Sequence, residues 1–282
     1  MNIALTGGSG NFARVLIRHL HAEGHLVRSI DRPGREAPLG VSAHCALDLR
    51  DVSAVKEALR GCDGVAHLAA IPGTGLGVPD EEVYANNTAI SYNVLSAAGE
   101  LGIKHVCLAS SVNAIGGAFG RKVAYRKFPV DETHPCFAED AYSLSKWVLE
   151  QQADATARRF AGMTIASLRF HALPDADPPL QEVDDGLGAP VTKTLWGYTR
   201  ADAAARAVEL GLRATFVGHE VFFITAPRTS YRRSSLELAQ MHYPNVPIIG
   251  DLPGNTSFYD CSKAERLLGW RHELPCLGVA SK

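Results

Sequence analysis

Short apolar runs alternate with longer amphipathic stretches through the first 170 residues, and that rhythm limits the fold more than any single motif does. The runs NIALT (2–6), HLVRSI (25–30), GVAHLAA (64–70), KHVCLAS (104–110) and MTIASLRF (163–170) read as strands. Between them, Phe12, Val15, Leu16 and Leu20 line one face of a helix over 11–23, and Val52, Val55 and Leu59 do so over 51–60. Longer helices are expected at 81–101 and 140–161. Strand and helix in alternation make βαβ units, whose strands pair in parallel and carry helices on both faces. The fold class is therefore α/β, a doubly wound parallel sheet.

The rhythm changes after about residue 170. HALPDADPPLQEVDDGLGAP (171–190) is rich in proline, glycine and acid and holds no lysine or arginine, so it reads as a loop, either a solvated connector or a substrate cover. A helix near 201–213 and a strand near 220–225 follow. The remainder is irregular and proline-rich, ending in a short helix at CSKAERLLGW. Residues 1–170 thus form the main α/β unit, and 171–282 a small cap interleaved with the last strands.

Bulk properties exclude several classes. A formal net charge of −2 over 282 residues gives no reason to expect a nucleic acid or a strongly anionic membrane as partner. The six cysteines (Cys45, Cys62, Cys107, Cys136, Cys261, Cys276) include no CxxC pair, which suggests reduced thiols rather than disulfides or a metal site. The opening MNIALTGGSG meets glycine too early for a secretory signal, and no apolar run approaches the roughly 18 residues of a membrane span. A soluble cytoplasmic protein is expected.

The segment TGGSGNFA follows the first strand and opens the first helix. Gly8, Gly10 and Ala13 fit the G-x-G-x-x-G/A pattern, in which glycine lets the backbone approach a pyrophosphate resting on the helix N-terminus. Gly7, Asn11 and Phe12 belong to the same turn. Asp31 ends the second strand, about 20 residues on, where a carboxylate can accept hydrogen bonds from a ribose diol. This is the sequence of a Rossmann-type dinucleotide site. Asp31 would repel a 2′-phosphate whereas Arg32 could hold one, so NAD is favoured and NADP remains open.

In AYSLSK (141–146), Tyr142 and Lys146 stand four apart, on one face of the expected helix. An ammonium beside a phenol stabilises the phenolate, the form that can take a proton from a carbinol. Ser110 and Ser111 end the 104–110 strand, and ligands of such sheets bind at the carboxyl ends of strands. Ser110 reads as a backbone-capping residue, His67 as a core histidine.

Taken in order, TGGSGNFA, Asp31, the CALD turn at Asp48, HLAA (67–70), NNTAISYNVLSAA (86–98), ASSVNAIGG (109–117) and YSLSK resemble the extended short-chain dehydrogenases/reductases of the NAD-dependent epimerase/dehydratase superfamily. The resemblance implies that Ser111 holds the substrate oxygen, Tyr142 is the acid/base, and Lys146 orients a ribose and lowers the tyrosine pKa. It implies Asp48 and Leu49 near the adenine, Leu68, Ala69 and Ala70 along the cofactor, Asn87 ordering the nicotinamide end, and a homodimer formed through the helices at 81–101 and 140–161. Dehydratases of the family place Asp-Glu beside the catalytic hydroxyl, whereas Val112 and Asn113 follow Ser111 here, which disfavours that chemistry. The tail LWGYTRADAAARA…VFFITAP…FYDCSKAERLLGW is similar to small uronate dehydrogenases, which would put Ser111, Asn113 and Arg169 at the substrate. Arg169 could clamp a carboxylate or serve the structure. Ala114 stands where those enzymes have histidine, and His171 is a candidate replacement. Three readings follow: a sugar or uronate dehydrogenase, a nucleotide-sugar epimerase, and a non-catalytic NAD(P)-sensing protein.

Overall fold

The computed structural model describes residues 1–121, 123–182 and 190–272. Strands β1 (Asn2–Thr6), β2 (Leu26–Asp31), β3 (Ala43–Ala46), β4 (Gly64–His67), β5 (His105–Ser111), β6 (Thr164–Phe170) and β7 (Gly218–Ile224) form one sheet in the order β3-β2-β1-β4-β5-β6-β7. Every neighbouring pair is parallel. The order reverses between β1 and β4, which opens a crevice at the carboxyl ends of those strands.

Helices α1 (Asn11–Ala22) and α6 (Ala201–Leu212), the latter preceded by the single-turn α5 (Pro190–Lys193), cover one face, burying Leu16, Ile17, Leu20 and Val208 against Ile3, Leu5 and Phe222. Helices α2 (Val52–Leu59), α3 (Asp80–Glu100) and α4 (Ala141–Arg159) cover the other, where Val55, Val94, Leu95 and Leu149 meet Ala4, Val65, Val106 and Ile165. Coverage on both sides explains why all seven residues of β6 are buried. A third apolar cluster gathers Trp196, Tyr231, Phe258 and Tyr259 with Phe223 of β7 and with Tyr125 and Phe128 from before β6.

Three elements depart from the sequence reading. β3 is a four-residue edge strand whose residues are only half-buried, so it carries little apolar signal. GVAHLAA is strand only as far as His67, and Leu68–Ala70 leave the sheet as the chain turns over its edge. Helix α7 (Ser235–His242) lies in the stretch expected to be irregular, started by a capping box in which Ser234 and Glu237 satisfy each other's backbone N–H groups. The short helix read at CSKAERLLGW is α8 (Ser262–Leu268). In the long loop, Asp177 pairs with Arg228 at 2.8 Å and with Arg200 at 3.7 Å; residues 183–189 lie outside the described range.

One buried polar cluster joins the helix α4 to the sheet. Ser110 on β5 and Arg169 on β6 are register partners. Both reach Glu150 of α4: Ser110 Oγ donates to Oε1 at 2.6 Å, and Arg169 Nε and Nη2 donate to the two carboxylate oxygens at 2.9 and 2.8 Å. The Arg169 guanidinium also lies over the Phe223 ring, 5.0 Å from its centroid. Glu150 and Arg169 are each 1% exposed, so either one left alone would be an uncompensated charge in the interior. Arg169→Met should therefore lower unfolding free energy by about 3–5 kcal/mol in urea titrations. Adding Glu150→Leu to that variant should recover most of the loss, because the stranded charge is then gone.

Candidate active site

The turn after β1 and the chain leaving β4 meet so closely that side chains are excluded. Gly7 has φ +72°, and a Cβ there would stand 2.8 Å from the Ala69 backbone nitrogen. A Cβ on Gly8 would overlap the Ser29 hydroxyl. The turn is closed by Gly7 N–H donating to Ile30 O at 2.8 Å and Gly10 N–H to Gly7 O at 3.1 Å. Gly10 caps α1 with no side-chain acceptor, so the first N–H groups of that helix stay available to an anion. The cradle that a pyrophosphate needs is thus built in backbone.

Asp31 is held in place by this turn. One carboxylate oxygen accepts from Ser9 N–H at 2.9 Å and the other from Arg32 N–H at 2.8 Å. Arg32 is exposed beside it. Asn11 is exposed at the helix start, while Phe12 turns inward, edge-on to Phe170 at 5.6 Å. Asp48 is gripped by Arg50 through bonds of 2.6–3.0 Å, and this contact holds its carboxyl below the usual range. Leu49 is buried next to it. Asn87 ties the chain beyond Ala70 to α4: it accepts from Ile71 N–H at 2.8 Å and donates to Ile71 O at 3.0 Å and Ser145 Oγ at 3.2 Å.

Helix α4 carries Tyr142 and Lys146 toward the same crevice. Asp140 starts the helix by accepting from Ser143 N–H at 2.8 Å. The inner face of the helix is polar at this end, burying Ser143, Ser145, Lys146 and Glu150. The Ser111 hydroxyl lies close enough to that of Tyr142 to favour its ionised form, and it accepts from Asn113 N–H at 3.1 Å. Lys146 Nζ donates to Ala109 O at 2.7 Å and lies 5.7 Å from the Tyr142 ring centroid. Burial pushes the phenol up to about 12, against the opposing influence of the Ser111 hydroxyl. It pushes the ammonium down to about 8, against the attraction of Glu150. The resemblance implies a lysine that lowers the tyrosine pKa; burial acts in the opposite direction on the resting phenol.

The substrate side differs from expectation at several residues. Arg169 spends Nε and Nη2 on Glu150, while its Nη1 is buried without a hydrogen-bond partner. Asn113 turns its side-chain oxygen to Ala118 N–H at 3.0 Å, bracing the loop after β5. His171 cannot stand in for the histidine replaced by Ala114, because Nε2 bonds to Thr194 O at 3.0 Å and Nδ1 accepts from Ala172 N–H at 2.7 Å. Ser110 bonds to Glu150 rather than capping backbone. His67 shares a hydrogen bond with Thr6 at 2.7 Å, and burial lowers its pKa to about 3, leaving it neutral. Two residues of the site escaped the sequence reading. Glu150 stood four residues beyond Lys146, on the same helical face, and that spacing was its signal. Phe119 had no periodic signal at all; it packs edge-on to Tyr142, ring centroids 5.7 Å apart.

Comparison with known proteins agrees with this geometry. The family model described as NAD dependent epimerase/dehydratase family matches residues 3–173. The L-arabinose 1-dehydrogenase (NAD(P)(+)) of Haloferax volcanii is 32% identical over 192 residues, 65% of this chain and 71% of that protein. The dTDP-6-deoxy-L-talose 4-dehydrogenase (NAD(+)) of Aggregatibacter actinomycetemcomitans is 26% identical over 182 residues, 63% of this chain and 63% of that protein's length. Among solved structures, the UDP-glucose 4-epimerase of Stenotrophomonas maltophila with bound NAD superposes with TM-score 0.72 at 22% identity, covering 98% of this chain and 94% of that one. A mutated uronate dehydrogenase superposes with TM-score 0.70 at 21% identity, covering 98% and 82%. At these identities the structures share the fold with this chain. The family match spans the glycine cradle, β1 to β6 and the Tyr142–Lys146 face, and on it the chain belongs to the NAD dependent epimerase/dehydratase family.

Proposed function

We propose that the protein is an NAD-dependent oxidoreductase moving a hydride between the nicotinamide and a hydroxyl-bearing carbon of a small sugar-like substrate. The observation that carries this reading is the placing of Lys146 one helical turn from Tyr142, its Nζ 5.7 Å from the phenol ring centroid and bonded to Ala109 O, on the strand that ends in Ser111 beside the glycine cradle. Gly7, Gly8, Gly10 and the start of α1 would hold the pyrophosphate, and Asp31 the adenosine ribose. Asp48 and Leu49 would flank the adenine, and Leu68, Ala69, Ala70 and Asn87 the nicotinamide half. When bound, the nicotinamide supplies the hydride acceptor or donor.

The chain's own task is the proton. A substrate hydroxyl placed between Ser111 Oγ and Tyr142 Oη gives its proton to the Tyr142 phenolate, which becomes the phenol, as the carbon is oxidised, and Ser111 fixes the oxygen's position. With a resting phenol near 12, Tyr142 is a weak base at neutral pH unless positive charge supports its anion. Lys146, on the same face of α4, is the side chain positioned to give that support. Asp31, with both oxygens oriented by backbone N–H groups, favours a ribose diol over a 2′-phosphate, so NAD is the expected cofactor.

Assembly and location follow the same reading. Tyr84 and Tyr92 on α3 and Leu144 on α4 are 37%, 51% and 39% exposed, and these two helices would form a homodimer interface. Cys45, Cys62, Cys107, Cys136 and Cys261 are free thiols, as suits a reducing cytoplasm.

Tyr142→Phe should lower turnover by roughly 10²–10⁴-fold while NAD affinity, read by fluorescence titration, stays within about twofold. Wild-type turnover in that variant would remove Tyr142 from the mechanism. Lys146 should titrate near pH 8, charged below and neutral above. NMR of labelled lysine side chains, assigned by the signal missing in Lys146→Met, should show one titration there, with ordinary lysines near about 10.4. Activity should fall as pH rises through that titration, since the support for the phenolate is lost. Asp31→Ser should shift the ratio of kcat/KM for NAD over NADP toward NADP by about tenfold or more.

A further inference from the structure

Phenylalanine is ordinarily buried, yet Phe119 is 40% exposed and sits at the mouth of the candidate site. It is not on a free loop. Asn113 Oδ1 accepts from Ala118 N–H at 3.0 Å, Lys193 Nζ donates to Gly120 O at 2.7 Å, and Arg121 N–H bonds to Glu139 at 2.7 Å. Bonds on both sides of Phe119 therefore hold it where it is. A Cβ on Gly117 would come within 2.7 Å of Asn113 Oδ1, so glycine is what lets the brace close.

A second loop meets this one. Residues 72–77 follow the end of β4 as 116–121 follow the end of β5, and these adjacent strands border the crevice. A Cβ built on Gly73 would lie 3.3 Å from Phe119 Cζ and 3.7 Å from Leu76 Cδ1, so the missing side chain leaves room for both. Leu76 is 59% exposed. An aromatic and an aliphatic side chain thus stand together, open to solvent, with the aromatic ring against that of Tyr142. Of the basic groups expected near the substrate, His171 has both ring nitrogens bonded, and Arg169 is 1% exposed with Nε and Nη2 on Glu150.

We propose that Phe119, with Leu76 beside it, is the wall against which the substrate stacks, taking the C–H face of a sugar ring while Tyr142 addresses a hydroxyl on that ring. This rests on the oxidoreductase reading above and names the feature of the substrate that the site selects, an apolar ring face in place of a clamped carboxylate. A pyranose or furanose presents such a face, and aromatic rings bind it through dispersion and their π surface.

The test compares wild type with Phe119→Ala, Phe119→Tyr and Leu76→Ala, using NAD with L-arabinose, D-glucuronate and UDP-glucose. For each compound oxidised, Phe119→Ala should raise KM about tenfold with kcat within about threefold, and Phe119→Tyr should return KM to within about twofold of wild type. Leu76→Ala should show a smaller rise in KM. An unchanged KM in Phe119→Ala overturns the proposal. Saturation-transfer NMR on the NAD-loaded protein reads the same contact without turnover: ring C–H protons of a bound compound should lose saturation in Phe119→Ala, and equal saturation in both proteins would contradict the wall. Loss of saturation together with no NAD reduction by wild type would keep the wall and remove the oxidoreductase reading.

Discussion

The buried ion pair between Glu150 and Arg169 is the constraint on which the site depends. A helix placed against a parallel sheet by apolar contacts alone can slide, because leucine and alanine surfaces define its register weakly. Here α4 brings a carboxylate to a guanidinium on β6 and a hydroxyl on β5, three bonds of 2.6–2.9 Å in a region closed to water. Such bonds are directional, and a displaced helix would strand both charges. Lys146 and Tyr142 lie one and two turns from Glu150 on the same helical face. Fixing Glu150 therefore fixes the distance from Tyr142 to Ser111 and from Lys146 to Ala109 O.

The second constraint is the strand order. Because it reverses at β1, the glycine turn after β1 and the chain leaving β4 face each other across the crevice, with Gly7 pressed against Ala69. β5, next in the sheet, delivers Ser111 and then the braced loop with Phe119. The glycine turn follows β1, Ser111 and Phe119 come at and after the end of β5, and α4 brings Tyr142 and Lys146 to them, which is the layout the proposed function uses. Their chemistries differ in kind: backbone N–H groups for an anion, hydroxyls for a proton, exposed apolar rings for a C–H surface. The arrangement separates charge at one end from apolar contact at the other.

What could be read from the residues was what depends on local chemistry. The glycine turn declares itself because only glycine tolerates its backbone and its close contacts, and strand, helix and Asp31 flank it at fixed spacing. The helices packed on the sheet and all interior strands are legible from period. β3 was not, since a short edge strand shares its contacts with solvent, and α7 was passed over although Ser234 and Glu237 carry a capping signature. Arg169, Asn113 and His171 pose one and the same problem to a reading from sequence. Each is a polar residue near a strand end, and sequence shows that it must find a partner without showing whether the partner is substrate or protein. In all three the partner is protein. Phe119 was hidden for the opposite reason, as an apolar residue in a glycine-rich loop where burial is the usual outcome.

The account stands most directly on whether the Ser111–Tyr142–Lys146 arrangement drives net hydride transfer with a free sugar. The measurement is the absorbance of reduced nicotinamide when the protein meets NAD with L-arabinose, with D-glucuronate and with UDP-glucose, followed by product analysis. The account predicts stoichiometric NAD reduction with a free sugar, abolished in Tyr142→Phe. Interconversion of the UDP-sugar with no net reduction of NAD, or NAD binding with no turnover of any of the three, would contradict it.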